Sequence, residues 1–260
     1  MRLARVIGLF WWTSLLAELE YRLNFVLAAL SALGHLVGNW FALSLFYRNG
    51  STLGGWSFPQ ALLVMGIFTL LQGLIRTLLT PNLTRLVEHV RTGTLDFVLL
   101  KPMDSQLWLS TRRFSPWGLP DVLFGLGVVL YAIDVQGLWR IGLLVAVAPL
   151  LCSLAILYSL WFTLASISIW YVKVYNVTEV LGNLIAAARY PIDALPQGIH
   201  RFVFTFVIPV GLLTTLPARI LLGDHLNGTF GVSVLVAVCA LLASRSFWRF
   251  ALRYYTSASS

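Results

Sequence analysis

From Leu23 to Phe46 the chain runs for about the thickness of a bilayer with a single ionisable side chain, His35. Similar runs follow at Pro59 to Thr80, from Leu119 after Pro116 and Pro120, at Ile141 to Trp170 and at Phe230 to Phe247. In hydrocarbon every backbone N–H and C=O must be satisfied internally, so runs of this length fold as helices. The fold class that follows is an all-α polytopic membrane protein, and 260 residues leave room for little else. One membrane domain, spanning 1–260, with about six transmembrane helices is expected.

Composition agrees with this reading. Charged residues make up 11% of the chain and hydrophobic ones 58%, where a soluble domain carries about 25% charged residues. The net charge of +8 raises the question of nucleic acid. The arginines, however, are spread between spans, so they read as topology signals and no nucleic-acid partner is expected. Many of the ten Trp and nine Tyr flank apolar runs and suit the two interfaces with water. Cys152 and Cys239 each lie inside an apolar run, and neither a disulfide nor a metal site is expected. The start lacks the order of a cleaved signal peptide, so the first span is expected to remain in the mature protein.

Residues 1–22 mix apolar side chains with Arg2, Arg5, Glu18 and Glu20, a pattern of a helix lying in the membrane interface. Between the fourth and last spans two readings stay open. Residues 174–190 form a short fifth span followed by a Pro-broken re-entrant segment at 191–222, or Arg201 to Leu222 is the span and 171–200 stays on the inner side. The re-entrant version is favoured. It leaves twelve Lys or Arg on one side against five on the other, which makes the richer side cytoplasmic and places both termini there, in a plasma (inner) membrane.

The stretch Val90 to Gln106, "VRTGTLDFVLLKPMDSQ", interrupts this apolar landscape. Thr80-Pro81 reads as a helix start, with Thr80 capping free amides. Leu83, Leu86, Val87 and Val90 then recur on one face, with Arg85, Glu88, His89 and Arg91 on the other. Gly93 suits the left-handed conformation that ends a helix, Thr94 suits a cap, and Asp96 suits a first turn. Pro102 stops the second helix. Its run Phe97-Val98-Leu99-Leu100 is too apolar to be left in water.

This stretch resembles the Arg-x-Gly-x-Leu-Asp-x-x-Leu-x-x-Pro pattern of ABC transporter permeases of the exporter-like second type. The six-span layout and "YPIDALP…VIPVGLLTTLPARILLG" are similar to that family as well. The resemblance implies that loop 81–118 holds a cytoplasmic coupling helix that docks on a separate ABC ATPase subunit. It implies docking roles for Arg91, Gly93, Leu95, Asp96 and Pro102, and that the Pro-rich segment forms short outer re-entrant helices; Arg85, Glu88 and Leu99 are expected in the same docking loop. Two ATPase copies, a second permease chain, identical or sister, and membrane lipids are the expected partners. ATP and Mg would be bound by the ATPase, with no cofactor in this chain.

The residues agree on one point independently. A phosphate-cradling loop ends in Gly-Lys-Ser or Gly-Lys-Thr, and the two lysines here are Leu100-Lys101-Pro102 and Val172-Lys173-Val174. A motor must come from another polypeptide. Catalytic residues are not expected either. No zinc-helix pattern or nucleophile elbow occurs, and His89 beside Glu88 points elsewhere at adjacent positions, so it reads as a solvated face.

Glu179 reads as the one acid inside a span, lining a path with Asn183 or pairing with a cation such as Arg76, or else as a hydrated acid near the cytoplasmic interface. His35 and Asn39, four apart, read as a polar stripe at a dimer seam or as hydrogen-bonded packing, and Gly34 and Gly38 as a site of close helix approach. The reading that results is the permease subunit of an ATP-driven exporter for an amphipathic or lipid-like substrate. The alternative is an ion-coupled transporter or channel, which calls for an inverted repeat and several intramembrane carboxylates that are not evident here. An intramembrane enzyme would need a clustered acid, base or metal set, and the sequence offers none.

Overall fold

The computed structural model describes residues 2–19, 22–48, 52–138, 143–171, 182–183, 185–194, 198, 204, 209, 211–223 and 229–256. Among them the regular elements are helices: α1 (Arg2–Leu19), α2 (Arg22–Tyr47), α3 (Phe58–Leu74), α4 (Thr80–Arg91), α5 (Leu95–Leu99), α6 (Ser105–Thr111), α7 (Leu119–Val135), α8 (Leu143–Ser166), α9 (Leu216–Leu221) and α10 (Thr229–Leu252). Five described helices are long and apolar enough to cross a membrane: Leu23–Tyr47, Phe58–Arg91, Pro116–Val135, Val147–Ile169 and Phe230–Leu252. The expected stretch 174–190 falls mostly outside the described residues, as does Glu179.

The second crossing corrects one expectation. Thr80 does not cap a new helix. Its backbone is helical (φ −53°, ψ −48°) and its N–H reaches back to the Ile75 carbonyl, so a wide π-turn at Ile75–Leu79 joins α3 and α4 into one rod. Pro81 has no N–H to give the carbonyl four residues earlier, that of Thr77. The Ser115 N–H, from the strand of chain entering α7, takes its place at 3.0 Å. Beside it, Asn82 Nδ2 donates to the carbonyls of Leu78 and Arg113, both at 2.7 Å, and Asn82 Oδ1 accepts the Arg113 N–H at 2.8 Å. A helix interrupted by proline therefore stays whole because a distant loop satisfies what the proline cannot.

The α3 rod packs closely against α7 through glycines. A Cβ on Gly125 would stand 2.3 Å from the Leu70 nitrogen, one on Gly118 2.4 Å from the Gly73 oxygen, and one on Gly73 2.5 Å from the Val122 nitrogen. At Gly34 and Gly38, by contrast, a Cβ would meet no described residue of this chain within 4 Å. Dispersion between closely packed backbones is what associates helices in lipid, where burial from water adds nothing.

The bundle has two distinguishable ends. At one, Asp104 and Ser105 bond Arg245 and Trp248 near the end of α10, and Trp11 of α1 bonds the Thr111 carbonyl. At the other, Asp193 binds Arg219 of α9 at 2.5 Å and accepts the Trp56 indole N–H at 3.1 Å, while the Tyr47 hydroxyl donates to the Trp56 carbonyl at 2.8 Å. The short 3-10 turns at Ala186–Arg189 and Ile192–Ala194 are tied to the turn before α9. The Thr214 hydroxyl donates to the Ala188 carbonyl at 2.7 Å, and the Ile192 N–H donates to Thr215 Oγ1 at 3.1 Å.

Candidate functional site

The end of α4, the turn after it, α5 and α6 form a compact elbow. Gly93 has φ +69°, the left-handed conformation that a side chain disfavours, and it turns the chain back after α4. Its N–H reaches the Val90 carbonyl at 3.3 Å, and the Thr92 N–H reaches Glu88 at 2.9 Å. Thr94 does not cap α5 through its side chain. Its hydroxyl instead lies 2.7 Å from His89 Nδ1 and 2.9 Å from the Thr92 hydroxyl. His89 is thus half-buried and structural rather than solvated, with its ring 6.0 Å from that of Trp108.

The apolar run of α5 is split by the helix period. Leu95 and Val98 point inward and are buried, whereas Phe97, Leu99 and Leu100 are 69%, 39% and 81% exposed. Arg85 pairs with Glu88 at 3.2 Å on the outer face, Arg91 and Pro102 are exposed, and Asp96 is half-buried. Burial and the neighbouring Asp96 carboxylate push the Tyr255 phenol above its usual range, which places the motif's acid beside the segment that follows α10.

Long-range bonds fix the elbow to the bundle. Asp104 accepts the Leu107 N–H at 3.0 Å and so caps α6. The same carboxylate receives both terminal nitrogens of Arg245, one of them at 2.9 Å, and that hydrogen bonding holds its pKa below the usual carboxylate value. Arg245 also donates to Gln106 Oε1 at 3.1 Å, and Gln106 Nε2 donates to the Tyr158 hydroxyl at 3.1 Å. The Trp248 indole N–H donates to Ser105 Oγ at 3.1 Å, with its buried ring edge-on to Phe162 at 5.4 Å. Movement of the elbow is therefore felt by α8 and α10.

The second set of predicted residues is only partly brought together. Arg76 and Asn183 line one cavity of about 380 Å³ with Gln72, Thr80, Thr84 and Trp161. His35 and Asn39 lie away from it on α2, with His35 exposed. Arg76 pairs with Asp121, at 2.8 Å; Glu179 lies outside the described residues. Asp121 is a buried acid in the first turn of α7, which the reading of the sequence passed over when it named Glu179 as the one intramembrane acid. The Leu-Pro-Asp start of α7 was the available signal, since an acid suits a helix N-terminus.

A bundle of apolar helices carrying a rigid elbow with an uncovered apolar tip defines a multi-pass membrane protein of the transporter class. The model for the ABC-2 family transporter protein matches residues 33–259, and the chain belongs to that family. It is a membrane-spanning permease subunit of an ABC transporter, which implies an ABC ATPase partner. No curated protein and no solved structure matches the chain significantly.

Proposed function

We propose that the chain is the permease half of an ATP-driven exporter, in which the elbow at residues 81–118 docks on a separate ATPase subunit. The observation that carries this reading is the bare tip of Phe97, Leu99 and Leu100 on an elbow clamped to α10 through Asp104 and Arg245 and to α8 through Gln106 and Tyr158. Apolar side chains held out on a rigid arm call for a partner surface. Two permease chains and two ATPases, with ATP and Mg in the ATPases, form the working unit. The elbow and both termini face the cytoplasm of a plasma (inner) membrane, α1 lies in the interface, and 191–222 re-enters from the outer side.

Coupling then requires only differential affinity: closed ATPases bind the elbows better in one arrangement of the spans than in the other. The unbroken α3–α4 rod carries that bias across the membrane to the Trp56–Asp193–Arg219 cluster. The cavity around Arg76 and Asn183, half polar and half apolar in its lining, supports an amphipathic substrate.

Co-expression with candidate ATPase subunits tests the reading. A motor subunit that co-purifies with the native chain, and is lost with Gly93→Pro, Leu99→Asp or Leu100→Asp while the permease stays inserted, supports it. If no ATPase binds, or if binding ignores the elbow, the docking role of residues 81–118 is overturned.

A further inference from the structure

Two cavities adjoin at the elbow end, and their chemistry is opposite. The first, of about 340 Å³, lies among α4, α5 and α6; Arg85, Lys101, Arg112 and Arg113 are in its wall, and no Asp or Glu is among its described lining residues. Glu88 at the rim pairs with Arg85. Lys101 and Arg112 are held instead over the Trp108 ring, at 5.2 Å and 5.0 Å from its centroid, and neither is paired with a described carboxylate. Cations stabilised by an aromatic face remain available to an anion.

The second cavity, of about 410 Å³, is lined mainly by apolar surface from Leu78, Leu79, Leu151, Leu154, Ala155 and Trp11. Asn82 and Arg113 line both cavities, so the cationic space and the apolar space lie on either side of that bonded pair. The slot lies where the apolar part of the α3 rod gives way to the polar face of α4. Its outer edge is closed by α1, whose Trp11 indole donates to the Thr111 carbonyl at 3.0 Å and whose Phe10 ring is 4.8 Å from the Arg112 guanidinium.

We infer that these neighbouring cavities hold one anionic phospholipid, its phosphate headgroup beside Lys101 and Arg112 and an acyl chain passing the Asn82–Arg113 pair into the slot beside Leu151 and Ala155. Basic pockets at the ends of membrane helices recognise such headgroups. A soluble phosphate would leave the slot unfilled, and an acidic segment of a soluble subunit would not reach into it. The lipid bridges α1, α4 and α6 and so stiffens the elbow from the membrane side. The site stands whether or not an ATPase docks at the tip.

Native mass spectrometry of the full-length chain in mild detergent tests this, with phosphatidylglycerol and phosphatidylcholine of matched acyl chains as probes. Phosphatidylglycerol should be retained roughly tenfold better. Lys101→Gln with Arg112→Gln should abolish that preference, while Arg249→Gln, an exposed charge on α10, should leave it intact. Ala155→Phe should reduce retention of phosphatidylglycerol several-fold; Leu151→Trp, at a 59% exposed position, fills the slot if Ala155→Phe does not fold. Equal retention of the two lipids by the native chain overturns the inference. So does a preference that ignores the slot variants and is displaced by glycerol phosphate, which would make the site a soluble-anion pocket.

Discussion

Arg245, near the end of α10, binds both carboxylate oxygens of Asp104, the residue that caps α6, across 141 positions of sequence. The contact joins the elbow to the last span, so removing it should uncouple the two without unfolding either. Asp104→Asn and Arg245→Gln are expected to insert normally and to raise proteolytic cutting within residues 92–104 several-fold. In complex with an ATPase they should retain binding and lose substrate-stimulated hydrolysis.

The same pair sets a pH dependence. Hydrogen bonds from Arg245 hold the Asp104 pKa below its ordinary value, so its contribution to stability is complete above the unfolded pKa of about 3.9 and is lost as pH falls through the depressed folded value. The difference in melting temperature between native chain and Asp104→Asn should therefore be flat from about pH 5 to 8 and shrink below about pH 4. A difference that vanishes near neutrality would show that the pair is not what holds the elbow.

The α3–α7 seam gives a sharper contrast. A methyl group on Gly125 meets the Leu70 backbone at 2.3 Å, and backbone cannot move aside as a side chain can, whereas Gly127 on the same helix faces open space. Gly125→Ala is expected to cost about 1–3 kcal/mol and to lower the yield of folded protein, and Gly127→Ala to match the native chain. Thermal melts in detergent compare the two directly.

How far the sequence revealed this molecule follows from the range of each interaction. The five crossings seen among the described residues were legible from hydropathy alone. The elbow was legible at Gly93, because a left-handed turn after an amphipathic helix is a local requirement. The continuity of α3 and α4 was not, since Pro81 argues locally for a break and the Ser115 amide that compensates lies 34 positions away. The pairings of Asp104 with Arg245 and Arg76 with Asp121 were hidden for the same reason: charge pattern shows that a partner is needed, and only the packing selects it. Glycine spacing carried too little information to find Gly125 and Gly73 in the seam of α3 and α7.

Asn82 should prove costly to replace. Its side chain satisfies the Leu78 and Arg113 carbonyls and the Arg113 N–H beside the proline in the rod, and it is buried. Asn82→Ala removes these three bonds from a buried site and is expected to destabilise the chain by about 2–3 kcal/mol. Hydrogen exchange should rise at Arg113 and Ser115 in the variant, while exchange in α10 stays unchanged.

At the opposite end, Asp193 ties the turn Ile192–Ala194 to Trp56 and to Arg219, whose guanidinium carbon sits 5.7 Å from the Trp56 ring centre. If this end opens to the outside during transport, the cluster must come apart in each cycle. Arg219→Gln removes the ion pair and the cation over the ring, and leaves the indole bond as the one described tie between Trp56 and Asp193. It should therefore speed hydrogen exchange across residues 52–57 and increase labelling of an Ala194→Cys reporter from the outer face. Labelling of that cysteine from the inner face alone would sink both the latch and the re-entrant placement of 191–222, because the turn would then lie on the side of the elbow.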